Sequence, residues 1–99
     1  MSRNPDRCPT HPGELLREDV IPETGKSKAE IARMLGISRQ HLHDVLAERK
    51  PVSPEVAVRL AKLFGNEALF WIRMQGAYDA WHACREVDVS GVPTLFAAE

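Results

Sequence analysis

The stretch Ser27–Lys50, SKAEIARMLGISRQHLHDVLAERK, decides how the rest of the chain is read. Ser27 is a helix N-cap candidate and Glu30 stands three residues later, so Ser-Lys-Ala-Glu reads as a capping box. Ile31, Met34 and Leu35 then recur at helical spacing on one face. Gly36 occupies the place where a left-handed residue closes a helix. Ser38 can cap a second helix, whose inner stripe is Leu42, Val45 and Leu46. Ala32 is small enough to let the two helices cross closely. Two short helices, a glycine turn and this set of buried positions predict a helix-turn-helix, with the helix that starts at Arg39 entering a major groove.

The charge distribution supports that reading only locally. The chain of 99 residues has a formal net charge of −1, which by itself does not suggest a nucleic-acid binder. Residues 27–50, however, carry five basic side chains (Lys28, Arg33, Arg39, Arg49, Lys50) against three acidic ones (Glu30, Asp44, Glu48). This is the one positive segment of the chain, and it predicts phosphate contact with modest non-specific affinity. With 43% apolar and 27% charged residues, the composition is that of an ordinary globular domain with one core. No run approaches the roughly 20 apolar residues of a membrane span, and MSRNPDRCPTHPGE has no apolar signal region. Two widely separated cysteines, Cys8 and Cys84, favour free thiols, so the expectation is a reduced, cytoplasmic protein.

Outward from the central stretch, residues 1–10 show no periodicity and read as a loose arm. A first helix opens at His11-Pro12-Gly13-Glu14, with Thr10 or His11 at the cap and Leu15, Leu16 and Val20 as its apolar face; Pro22 is expected to stop it. Beyond Lys50, Ser53-Pro54 restarts a helix that carries Val56, Ala57, Leu60, Ala61 and Phe64 and ends at Gly65. Asn66 is expected to cap a long helix, about residues 67–85 and about 28 Å. That helix bears Phe70, Met74, Ala77, Trp81 and Cys84 on one stripe and Trp71, Tyr78 and Arg85 on another. Two apolar stripes predict one for the core and one for a partner subunit, and Trp71, Tyr78 and Trp81 are the expected interface. The tail, 87–99, breaks the pattern at Ser90-Gly91 and Pro93; Thr94-Leu95-Phe96 reads equally as a short strand, a docking segment or a frayed end.

The buried stripe of the second helix turns Ser38, Arg39, Gln40, His43 and Asp44 outward. Arg39 has the chemistry to bind guanine through O6 and N7, and Gln40 to bind adenine through N6 and N7. His43 can reach a phosphate or a base, or be solvated. Asp44 would repel phosphate unless it accepts from a cytosine amino group or orients Arg39. Lys28, Arg49 and Lys50 are the phosphate candidates, with solvated cations as the plainer account. A metal centre is not expected: His41 and His43 point nearly opposite ways on a helix, and Cys8 with His11, or His82 with Cys84, lack the spacing of a zinc motif. No nucleophile–base constellation is apparent, so no enzyme and no cofactor are expected.

At this level of detail the sequence resembles the HigA-type antitoxins of the phage-repressor-like (XRE) helix-turn-helix family. The resemblance runs from His11 to about Trp81. Its more specific parts are HPGELLREDVIP and the FWIRMQGAYDAW segment, since many repressors share the middle SKAEIARMLGISRQHLHDVLAERKPVSPEVAVRLAKLFG. It implies an all-α, five-helix fold, a homodimer on a palindromic operator in double-stranded DNA, and neutralisation of a RelE/HigB-like mRNA endonuclease toxin. It also implies base-reading roles at Ser38, Arg39, Gln40 and Asp44, and phosphate-binding roles at Ser27, Lys28, Arg49 and Lys50. One departure stands out: many relatives place glycine after the recognition helix, where this chain has Glu48. A stand-alone regulator without a toxin, and a protein-interaction module with vestigial DNA binding, are the alternative readings.

Overall fold

The first helix is shaped by its two prolines. In the computed structural model, which describes residues 6–96, the helical run α1 consists of Pro12–Leu15, Leu16–Val20 and Ile21–Thr24 without a break. The ends of the arm and tail, 1–5 and 97–99, lie outside the described residues. His11 caps α1 through Nδ1, which accepts the Gly13 N–H at 2.8 Å, and Pro12 occupies a first-turn site where no amide is needed. Pro22 does not stop the helix as expected. The Leu16–Val20 segment is wound in π register, with the Ile21 N–H bonded to the Leu16 carbonyl. That wide turn makes room for a ring that would otherwise clash one turn back, and the helix continues to Gly25, at φ 70°.

The next three helices are α2 (Lys28–Leu35), α3 (Arg39–Leu46) and α4 (Pro54–Phe64). Each starts at a serine whose hydroxyl accepts a backbone N–H: Ser27 from Glu30, Ser38 from His41 and Ser53 from Val56. Gly36 and Gly65 close α2 and α4 in the left-handed region, as the spacing predicts. The core takes Leu16 and Ile21 from α1, Ile31, Ala32 and Leu35 from α2, and Leu42, Val45 and Leu46 from α3. Val52, Val56, Ala57 and Leu60 join it from the side of α4. Met34, expected on the inner face of α2, is 49% exposed. It lies at the edge of a stripe that Ile31 and Leu35 already fill.

The last helix, α5 (Ala68–Glu86), corrects two expectations. Asn66 does not cap it; Glu67 holds the cap position, and Asn66 Oδ1 accepts the Trp71 indole N–H at 2.9 Å. Trp71 is no interface residue, being 1% exposed and part of the protomer's own core. Trp71, Gln75 and Tyr78 fall one and two turns apart on the inward face, while Phe70, placed on the opposite stripe, is exposed and packs edge-on against the Trp71 ring at 5.0 Å. The second half of α5 runs past the core, and the radius of gyration of 16.3 Å exceeds the about 13 Å of a compact domain this size. The described tail makes no strand: Leu95 and Phe96 are 83% and 86% exposed. Among the described residues, no helix is long and apolar enough to cross a membrane.

Candidate nucleic-acid interface

The orientation of α3 is set from both sides before any partner is considered. Its inner residues Leu42, Val45 and Leu46 are buried, so Ser38, Arg39, Gln40 and His43 are turned to solvent together. Eight residues make α3 about 12 Å long, comparable to the width of a B-DNA major groove. From below, α1 packs against its backbone. A Cβ on Gly13 would fall inside the Val45 carbonyl oxygen, so only glycine allows this approach. That contact gives the HPGE segment a physical reason. On the other side, Arg59 of α4 donates to the Leu35 carbonyl at 2.9 Å, bracing the turn between α2 and α3.

The structure brings most of the expected site residues onto one surface. A groove between the starts of α2 and α3 is lined by Lys28, Ala29, Arg39, Gln40, Leu42 and His43. Ser27 sits at its edge, but its groups are committed: the hydroxyl accepts the Glu30 N–H at 3.1 Å and its own N–H donates to the Glu30 carboxylate at 3.3 Å. Arg49 and Lys50 lie at the far end of α3. There Asp44 does not orient Arg39, one of the roles considered for it. Its carboxylate instead accepts from Gln40 Nε2 at 3.0 Å and Arg49 Nη2 at 2.9 Å, with Lys50 Nζ 3.8 Å away. The Arg49 guanidinium, with help from Gln40 and Lys50, holds the Asp44 carboxyl below the usual carboxylate range, so it is ionised near neutrality.

Three supporting contacts escaped sequence reasoning, although Glu48 and Tyr78 were themselves singled out. Glu48, at φ 63°, closes α3 in the left-handed region that glycine normally fills. Arg17 of α1 answers that strain by donating to the Leu46 carbonyl at 2.6 Å and pairing with Glu48 at 3.3 Å. The path into Arg49 and Lys50 is therefore the path a glycine would give. Gln75 is buried, accepting the Val52 N–H at 2.8 Å and donating to Asp79 at 2.9 Å, so α5 holds the segment that follows the basic loop. Tyr78 packs edge-on against the buried His11 ring at 4.8 Å. Burial lowers the pKa of His11 against the opposing pull of Glu48 and Asp79, matching its role as an acceptor. Only a faint signal existed for these: the spacing of Gln75 and Tyr78 from Trp71.

Trp81 is half-buried beneath the Arg85 guanidinium, 3.7 Å from its ring centroid, and its indole N–H is buried without an acceptor among the described residues. Cys8, weighed with His11, has its sulfur 3.6 Å from the ring of His82, which was weighed with Cys84. Among the described residues no group of three or more His, Cys, Asp or Glu is arranged to hold a metal ion.

A helix-turn-helix family model (HTH_3) matches residues 16–72, more than half of the chain. The chain belongs to the XRE-type helix-turn-helix family. Its solved neighbours include antitoxins, among them one of the HigA family, and the family is one of DNA-binding regulators rather than enzymes. Antitoxin GraA, solved in complex with its operator, is 34% identical with a TM-score of 0.82, covering 99% of this chain and 100% of that one. An addiction module antidote protein of the HigA family from Coxiella burnetii is 29% identical with a TM-score of 0.81, covering 91% and 100%. Among curated sequences, virulence-associated protein I of Dichelobacter nodosus is 36% identical over 69 residues, 70% of this chain but 64% of the relative's own length. The helix-turn-helix match and these neighbours agree with the five-helix, all-α architecture described above.

Proposed function

We propose that this chain is a DNA-binding antitoxin that works as a homodimer in the cytoplasm. In this reading it represses its own operon at a palindromic operator and neutralises a RelE/HigB-like mRNA endonuclease. The observation that carries the DNA half is the exposed face of α3, where Ser38, Arg39, Gln40 and His43 stand together beside Lys28 on a braced helix of groove-filling length. Arg39 has no hydrogen bond or ion pair among the described residues to compete with a guanine. The operator complex of GraA, similar along nearly the whole chain, supports operator binding. The toxin half is supported by likeness to the HigA type alone.

Ser38, Arg39, Gln40 and His43 are assigned to base edges, and Ser27, Lys28, Arg49 and Lys50 to phosphates. Trp81 remains the proposed partner surface, since Trp71 lies in the core and Tyr78 packs inward against His11. A two-fold dimer would place its half-sites about 34 Å apart on one face of the duplex. The test of the DNA half is a gel shift with the duplex upstream of the gene. Wild type should shift it specifically, and Arg39→Ala should lose that preference. An unchanged affinity for Arg39→Ala would remove α3 from the reading role. The toxin half is tested by co-expression with any small basic reading frame beside the gene: rescue of growth and co-purification are expected. Operator binding with no such neighbouring frame would leave a stand-alone regulator instead.

A further inference from the structure

The two ends of α3 treat their charges differently. At its start, Lys28 and Arg39 have no carboxylate partner among the described residues, whereas at its end three donors converge on one anion. Asp44 Oδ1 accepts from Gln40 Nε2 and Arg49 Nη2, and Oδ2 faces Lys50 Nζ. The Asp44 carbonyl also accepts the backbone N–H groups of Arg49 and Lys50, at 2.8 Å and 3.2 Å. The loop is thereby wrapped around the Asp44 side chain, which is 15% exposed. Glu48 and its Arg17 partner hold that loop in place from the α1 side.

An ionised carboxylate only accepts, so the Gln40 amide must turn its NH2 group toward Asp44. One of the two N–H bonds is used there. The second N–H and the carbonyl oxygen stay outward, the pair of groups that reads adenine at N7 and N6. Meanwhile Arg49 and Lys50, the cations nearest the end of α3, are already neutralised in part. A phosphate approaching them meets the Asp44 charge as well as the two cations.

We propose that Asp44 is a specificity-setting positioning residue: it holds the Gln40 amide in its adenine-reading orientation and screens Arg49 and Lys50 so that phosphate alone is a weak ligand. This role rests on the DNA-binding reading above and replaces direct contact between Asp44 and a base. Sequence-independent affinity comes from phosphate contacts and their released counterions, so a screen on two clamp cations suppresses binding to random DNA. Fixing the amide in advance lowers the ordering cost at the cognate site. Both actions widen the gap between cognate and random duplex.

The test compares wild type, Asp44→Asn and Asp44→Ala on the upstream duplex and a scrambled duplex of the same composition, across a potassium chloride series. Asparagine keeps an acceptor for Gln40 but removes the charge; alanine removes both. Both variants should bind the scrambled duplex about three- to tenfold more tightly, with a salt slope steeper by about 0.9, as expected for one further phosphate neutralised. Only Asp44→Ala should also lose discrimination against substitution of an adenine in the site, and Asp44→Asn should retain it. Unchanged affinity and slope on the scrambled duplex in both variants would overturn the screen. Equal losses of adenine discrimination in the two variants would overturn the positioning role. If wild type showed no preference for the upstream duplex, the DNA-reading assignment would fail, while the scrambled-duplex comparison would still decide the screen. Should Asp44→Ala melt, Asp44→Asn carries that comparison alone.

Discussion

Helices α3 and α5 both bury one face, and the difference lies in what they do with the other. In α3 the buried stripe is purely aliphatic and the outward face purely polar, so a single periodicity separates structure from reading surface. In α5 aromatic and aliphatic residues run round much of the helix, and the core takes the face that carries Trp71, Gln75 and Tyr78. Only the first half of α5 meets the core closely. Its second half leans on the N-terminal segment through Tyr78 against His11 and His82 against Cys8. A helix with one apolar stripe declares its orientation; a helix with two leaves the choice to its neighbours.

The comparison is broken most severely at Trp71. Trp71→Ala should cost about 3–5 kcal/mol of protomer stability, measured by urea unfolding, because it empties a site in the core. A loss under about 1 kcal/mol would return Trp71 to the partner surface. Arg39→Ala should act the opposite way, leaving the unfolding midpoint in place while weakening the upstream duplex by about 1–3 kcal/mol. Together the pair separates a structural aromatic from a reading cation.

His11 sharpens the contrast through pH, since it joins α5 to the start of α1. Its neutral ring is required to accept the Gly13 N–H, and burial keeps its pKa below the about 6.5 of an ordinary imidazole. The unfolded chain therefore binds more protons as pH falls through 6.5. Stability from this group is complete above that value and is lost progressively below it. The melting temperature should drop between pH 7.5 and 5.5, and His11→Asn, which keeps a capping oxygen without a titrating ring, should flatten the drop. An identical pH profile in that variant would remove His11 as the cause.

The smallest effect on folding is expected at Trp81. Trp81→Ala removes an exposed cation–π contact, of order 0.5–1 kcal/mol, and should leave the protomer folded. Its effect should appear in light scattering as a weakened dimer. An unchanged dissociation constant would move the partner surface away from the second half of α5, with the exposed Leu69 and Phe70 as the next apolar candidates.

Much of the candidate site was legible because its signals are local. The capping box at Ser27–Glu30, the caps at Ser38 and Ser53, and the left-handed glycines at 36 and 65 are each decided within a few residues. The supports were illegible because each depends on a residue far along the chain. Arg17 reaches Leu46 and Glu48, Gln75 reaches Val52, and Gly13 yields to Val45. Pro22 misled for a related reason. A proline rule assumes α-helical spacing, and the preceding π turn changes that spacing.

By itself, then, the sequence determined the helix-turn-helix, its polarity, and four of the five residues it turned outward, Ser38, Arg39, Gln40 and His43, since caps and a single apolar stripe act over one or two turns; Asp44, the fifth, is largely covered. The tertiary structure alone decided three further matters. It chose which stripe of α5 is core, it set how closely α1 underlies α3, and it folded Arg49 and Lys50 back on Asp44. In each case local sequence signals leave more than one arrangement open. The selection comes from contacts that exist only once distant segments are packed, and from the strain at Glu48 that Arg17 holds in place.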